Sequence, residues 1–196
     1  MGDRDMAASD ARGPLAGLRV LDLTEHMAGP FCTMMLADMG AEVLKIEEPH
    51  GDHMRSRPPL RDGHSTYFGH LNAGKKSVIL DLKSDEGRDS ARHLVAASDV
   101  VVENFRPGVM KRLGLDYAAL ASAKPDLVYC SISGFGQTGP RAEQPAYAPV
   151  IHAASGFDHT QFTYQDGQDK PAKTGIFVAD VLAAVYAFGA IQTALI

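Results

Sequence analysis

Apolar residues along the chain gather in short dense runs separated by polar, glycine-rich stretches. Five runs, at 18–24 (LRVLDLT), 41–47 (AEVLKIE), 77–82 (SVILDL), 99–105 (DVVVENF) and 126–133 (DLVYCSIS), are rich in Leu, Ile and Val and bounded by turn-forming residues. Each predicts a β-strand. The unbroken Val run at 100–102 fits a strand covered on both faces. Helical patterns fall between them. One starts at Pro30, suited to a first helical turn, carries Phe31, Met34, Met35 and Met39, and closes on Gly40. A second covers 84–97, with Asp85 and Glu86 in the first turn, where they suit the helix dipole. Shorter helices are predicted over 108–114 and 116–123, and a last one from about Ala179 to the chain end. Strand, helix and strand within about 30 residues form a βαβ unit with a right-handed crossover. The fold class predicted is α/β, a Rossmann-like, open, mostly parallel sheet with flanking helices. Residues 49–74, rich in Pro, Gly, His and Arg, read as a long irregular connection of the kind that often carries function.

Composition narrows the function classes. The 196 residues are 45% hydrophobic and 22% charged, with a net charge of −5, which is ordinary for a globular domain and too apolar for a disordered chain. The acidic balance argues against a nucleic-acid partner. Cys32 and Cys130 are too few and too far apart for a disulfide framework and lack metal-ligand spacing. A cytoplasmic location and no metal are the expectations. No apolar run approaches the roughly 20 residues of a membrane span. Residues 1–13 form a polar stretch without an apolar core, expected to be a flexible tail and not a signal peptide. The other end stops at Ala194-Leu195-Ile196, within a helical pattern.

Chemistry is sparse. Residues 134–139 (GFGQTG) fit G-x-G-x-x-G after a strand, but no helix opens over the glycines and no acidic strand end follows, so a glycine-permitted turn is the reading. Lys75, Lys76, Lys83, Arg106, Lys111 and Arg112 sit near strand ends and in loops. In an acidic protein such cations suit a polyanionic small ligand, or else a solvated surface. Cys130 lies mid-strand as a core thiol. Asp180 is a lone carboxylate in an apolar stretch, either a helix N-cap or a nucleophile held in a poorly solvated site.

The order of segments is distinctive. It runs PLAGLRVLDLT (14–24), AGP (28–30), ADMGAEVLKIE (37–47), GD (51–52), NAGKKSVILDLK (72–83), DVVVENFRPG (99–108), SGFGQTGP (133–140) and Asp180. Together these resemble the family III CoA-transferases, the group of formyl-CoA transferase and carnitine CoA-transferase, from about residue 14 to the end. The resemblance implies a Rossmann-like large domain, of which 14–196 would be an N-terminal part, truncated at its C-terminus, since family members are about twice as long. It implies two subunits interlocked as a homodimer, acyl-CoA and a small carboxylic acid as substrates, and coenzyme A as the group exchanged. Asp180 matches the catalytic aspartate. CoA-contact positions carry over as Met27, Ala28, Leu80, Asp81, Leu82, Lys83, Asn104, Phe105, Arg106, Arg112 and Tyr147, with Lys83 and Arg112 toward the phosphates.

The chain departs from the family pattern at two positions: Met27 stands where transferases carry Gln, and Glu48 where some carry Arg. The glycine-rich loop that shields the intermediate in the family belongs to the half this sequence does not include. Two alternatives stay open. The α-methylacyl-CoA racemases of the same superfamily carry Gly-His-Asp where this chain has Ala146-Tyr147-Ala148, so the proton-transfer pair would be incomplete here. The other alternative is a CoA-binding module without activity of its own.

Overall fold

A computed structural model describes residues 13–172 and 174–196. The tail expected over 1–13 lies, apart from Gly13, outside the described residues. The chain runs β1 (Arg19–Leu23), α1 (Ala28–Asp38), β2 (Glu42–Glu47), a 3-10 turn (His53–Ser56), β3 (Leu60–Arg61), β4 (His64–Ser65), α2 (Thr66–Leu71) and β5 (Lys76–Ile79). It continues with α3 (Asp85–Ala96), β6 (Val100–Glu103), α4 (Val109–Leu113), α5 (Tyr117–Leu120), β7 (Val128–Ser131), α6 (Ala148–Ser155), α7 (Phe157–Phe162) and α8 (Val178–Leu195).

Five strands form one sheet in the order β5-β2-β1-β6-β7, every pair parallel. Strand alternation sends neighbouring side chains to opposite faces. Val20, Val43, Val100 and Val102 face Cys32 and Leu36 of α1 and Ala184, Ala187 and Ile191 of α8. Leu21, Leu23, Ile46 and Val101 face Ala91 and Val95 of α3, with Met110 and Leu120. The result is the three-layer α/β architecture predicted, with the Val run buried on both sides. Burial pushes the Cys32 thiol up to about 12 and the Cys130 thiol up to about 11, which suits core thiols.

Two expectations about local structure change. The 49–74 connection is ordered in short pieces. Asp52 Oδ1 accepts the Met54 N–H (2.8 Å) and Ser65 Oγ accepts the Phe68 N–H (3.1 Å), capping the 3-10 turn and α2. The segment is anchored by Glu47, whose carboxylate accepts from Arg55 Nε (2.7 Å), Arg55 Nη2 (2.6 Å), Ser77 Oγ (2.5 Å) and the Asp52 N–H (2.9 Å). Burial alone would raise this carboxyl, but the donors outweigh it and hold it at about 2. The ionised form therefore stabilises the fold above the ordinary range near 4.5, and that stability is lost as pH falls toward 2. Urea unfolding across pH 5 to 2.5 should show a shallower acid loss in Glu47→Gln than in the unchanged protein, because the variant has no such carboxyl to protonate.

The second change concerns Lys75 and Lys76, read as part of a cationic cluster for an anionic ligand. Lys75 is spent inside the fold, its Nζ 2.9 Å from Asp22 Oδ2, and Lys76 pairs with Glu42 at the surface (2.5 Å). Their charges are already matched by the protein, and Lys76 opens β5 at the opposite end from its carboxyl terminus.

Candidate active site

β1 and β6 are neighbours whose connections leave toward opposite sides of the sheet, which opens a crevice beyond their carboxyl ends. Asn104, just past β6, closes its floor. Its Oδ1 accepts the Glu25 N–H and its Nδ2 donates to the Glu25 carbonyl, both at 2.8 Å. The cleft above measures about 300 Å³. Glu25, His26 and Ala28 line it from the β1–α1 loop, and Asn104, Phe105 and Arg106 from beyond β6. Ser133 and Gly134 follow β7, Tyr147 and Ala148 open α6, and Asp180 comes from the first turn of α8.

Asp180 is half-buried and is the third residue of its helix; Phe177 occupies the N-cap position, so the capping alternative falls. Burial raises the Asp180 carboxyl above its ordinary range. The backbone amides of Asp180, Ala28 and Ala148 act in the opposite direction without overcoming it. Ala28 is the first residue of α1 and Ala148 the first of α6, so three helix N-termini direct positive potential at one carboxylate. A carboxylate within reach of amides yet poorly hydrated is arranged for nucleophilic attack more than for solvation.

Of the residues expected at the site, Ala28, Asn104, Phe105, Arg106, Tyr147 and Asp180 line this one cleft. Met27 is at the N-cap position of α1 beside it, outside the lining. Leu80, Asp81, Leu82 and Lys83 follow β5 at the sheet edge, two strands from β1, with the Lys83 N–H donating to Asp81 Oδ1 (2.9 Å). Lys83 and Arg112 are exposed. Residues 134–139 form a loop without a helix over it, consistent with a turn. Gly134 is needed there because a methyl group would collide with the Ala146 Cβ.

Four residues of the site escaped sequence reasoning. His26 adopts a left-handed φ of 64°, and its ring meets those of His53 (4.6 Å) and Tyr147 (5.8 Å). Glu25 is raised by burial and by the Asp52 charge. Tyr67 is raised by burial and by the charge of Asp180, which puts the phenol within electrostatic reach of that carboxylate. His152 is buried in α6 and contacts the start of α8. Among these only the Thr-Tyr pair after Ser65 had a sequence signal, the cap that starts α2.

Comparison with known proteins gives a consistent result. The family model described as CoA-transferase family III matches residues 15–196. A succinate–glutarate CoA-transferase of Agrobacterium fabrum is 45% identical over 192 residues, covering 93% of this chain and 47% of that protein. A formyl-CoA:oxalate CoA-transferase of Streptomyces coelicolor is 40% identical, covering 92% and 43%. A solved CaiB/BaiF family protein from Brucella suis superposes with a TM-score of 0.87 at 41% identity, over 94% of this chain and 49% of that one. The chain thus spans about half the length of the relatives it matches. Among the described residues no helix is long and apolar enough to cross a membrane.

Proposed function

The chain belongs to CoA-transferase family III, and from that premise we propose that it carries the nucleophile and much of the CoA site of an enzyme moving coenzyme A from an acyl-CoA thioester to a free carboxylic acid. The observation that supports this most directly is Asp180, half-buried at the cleft and faced by the amides of Ala28 and Ala148. The Asp180 carboxylate attacks the thioester carbonyl, the C–S bond breaks, and a mixed anhydride and CoA thiolate result. The thiolate then attacks the Asp180 acyl carbon, releasing the donor as its carboxylate and leaving an aspartyl-CoA thioester. The acceptor carboxylate attacks that thioester, and the thiolate freed again takes the acceptor acyl group, which restores Asp180. Each step exchanges one acyl bond for another, with no net proton or electron transfer.

Ala28, Asn104, Phe105, Arg106 and Tyr147 hold the thioester end of CoA in this reading, while Lys83 and Arg112 meet the phosphates. Met27 offers no side-chain amide, so the developing oxyanion depends on backbone N–H groups at the starts of α1 and α6. Glu48 is exposed and anionic, which leaves the phosphate contacts to the cations. The names of the relatives share small dicarboxylic acids, succinate, glutarate and oxalate, and that class is the acceptor we assign here.

Incubation with an acyl-CoA and hydroxylamine should convert Asp180 to its hydroxamate, read by peptide mass spectrometry. Unmodified Asp180 in active protein overturns the reading. Exchange of the α-proton with deuterium, without any acceptor acid, would assign the racemase chemistry instead. Gly134→Ala should weaken CoA binding by about tenfold in titration calorimetry, the scale of a steric insertion of 1–3 kcal/mol, because it drives Ala146 toward the cleft.

The same reading includes an interlocked homodimer. α8 carries one charged residue, Asp180, and packs inward through Ala184, Ala187 and Ile191, while Leu182 and Tyr186 stand 50% and 76% exposed. A helix apolar all round belongs in an interior. Analytical ultracentrifugation of the protein as its gene encodes it should show a dimer; a fully active monomer excludes this part.

A further inference from the structure

α8 begins without a capping side chain of its own. Phe177 holds the N-cap position with φ −80° and ψ 69°, and its own side chain makes no capping hydrogen bond. The first turn of any helix leaves backbone N–H groups without intrahelical acceptors, and an orphan donor at a partly buried terminus is costly. One such donor, the Ala179 N–H, is taken up from another helix: His152 Nε2 of α6 lies 3.1 Å from it. His152 is 4% exposed, and its ring packs on Phe157 at 4.9 Å. A nitrogen that accepts an N–H carries a lone pair, so the proton of this neutral imidazole is on Nδ1.

We infer that His152 is a positioning residue: it caps α8 from outside the helix and so fixes the adjacent Asp180 against the cleft. The geometry links two functions of one helix face. Ala148 and His152 are four residues apart on α6 and therefore share a face. The Ala148 amide acts on the Asp180 carboxylate, while the His152 ring holds the amide of the residue before it. A tilt of α6 relative to α8 loses both interactions together. His152 needs no contact with substrate for this role. The capping stands on the hydrogen bond alone, whereas its catalytic consequence rests on the reading of Asp180 as nucleophile.

The test compares His152→Leu, which keeps bulk and removes the acceptor, with His152→Gln, whose side-chain carbonyl restores one. In the ¹⁵N-labelled protein, His152 should show the Nδ1–H tautomer and a scalar coupling from Nε2 to the Ala179 amide nitrogen. His152→Leu should speed hydrogen exchange at Ala179 and its helical neighbours by roughly fivefold, the scale of a lost cap, and His152→Gln should restore protection. In the active protein, His152→Leu should lower kcat by about 10- to 100-fold through misplacement of Asp180, with KM for acyl-CoA nearly unchanged and kcat largely recovered in His152→Gln. Absence of the coupling, or equal behaviour of the two variants in exchange and kcat, overturns the inference. If the coupling and exchange pattern hold while Asp180→Asn keeps full activity, the cap stands and the nucleophile reading falls.

Discussion

Asp180→Asn should abolish CoA transfer while leaving the fold at least as stable at neutral pH. The two halves of this expectation come from one physical fact. Asp180 is raised by burial against the backbone amides that favour its charge, so the folded protein holds the ionised carboxylate at a disadvantage relative to water. A carboxyl with a folded pKa above its unfolded one costs stability once pH rises through the folded value, and below the unfolded value that cost is absent. Asn removes the charge and keeps the shape, so a thermal melt at pH 7 should show no loss, and the difference from the unchanged protein should vanish as pH approaches 4. Activity behaves differently, because an amide cannot form the acyl intermediate. Loss of a nucleophile that acts within a concerted set of groups lowers kcat on the order of 10⁴-fold or more. A variant that melts early, or one that retains transfer, contradicts the assignment in distinguishable ways.

The parts legible in the sequence were those with local signals. The Val run of β6, the Gly40 that ends the first helical segment with a φ of 96°, and the acidic first turn of α3 all announce themselves within a few residues. Asp180 was legible because a lone carboxylate in an apolar stretch conflicts with its surroundings, and the family-like segments put Asn104 and Tyr147 beside it. Other features depend on packing between distant segments. The connection at 49–74 has too few apolar residues for a period, and its order comes from Glu47 in another element, although the caps Asp52 and Ser65 were readable. His152 meets Ala179 across 27 residues, through the packing of α6 on α8, and no spacing rule marks it. Lys75 looked like a surface cation because nothing near it in the chain is acidic; its partner Asp22 lies 53 residues away.

That partner gives the largest expected effect on stability. Lys75→Met should destabilise the fold by about 3–5 kcal/mol, measured by urea unfolding, because it leaves a carboxylate buried without its cation. Asp22 is fully buried on β1, and its oxygens accept from the Thr24 N–H (2.9 Å), Thr24 Oγ1 (2.5 Å), Thr33 Oγ1 (2.6 Å) and Lys75 Nζ (2.9 Å). Burial pushes this carboxyl up most strongly, yet Lys75, Lys45 and the two hydroxyls together bring it below its ordinary range. The ionised network therefore stabilises the protein above that range, near 3.8, and the contribution is lost as pH falls through the lower folded value. With Lys75 removed, the largest of the lowering influences is lost and the Asp22 pKa rises. A less depressed carboxyl contributes less pH-dependent stability, so Lys75→Met should show a shallower loss on acidification than the unchanged protein. The double variant Asp22→Asn, Lys75→Met should recover much of the loss, since neither charge is then buried alone. The effect reaches the candidate site because Lys75 Nζ also donates to the Pro30 carbonyl (3.0 Å), and Lys45 Nζ donates to the Thr24 carbonyl (2.5 Å). These bonds clamp both ends of the loop that carries Glu25, His26 and Ala28 into the cleft. Losing the Lys75 bond to Pro30 should therefore weaken CoA binding in the fraction of Lys75→Met protein that remains folded.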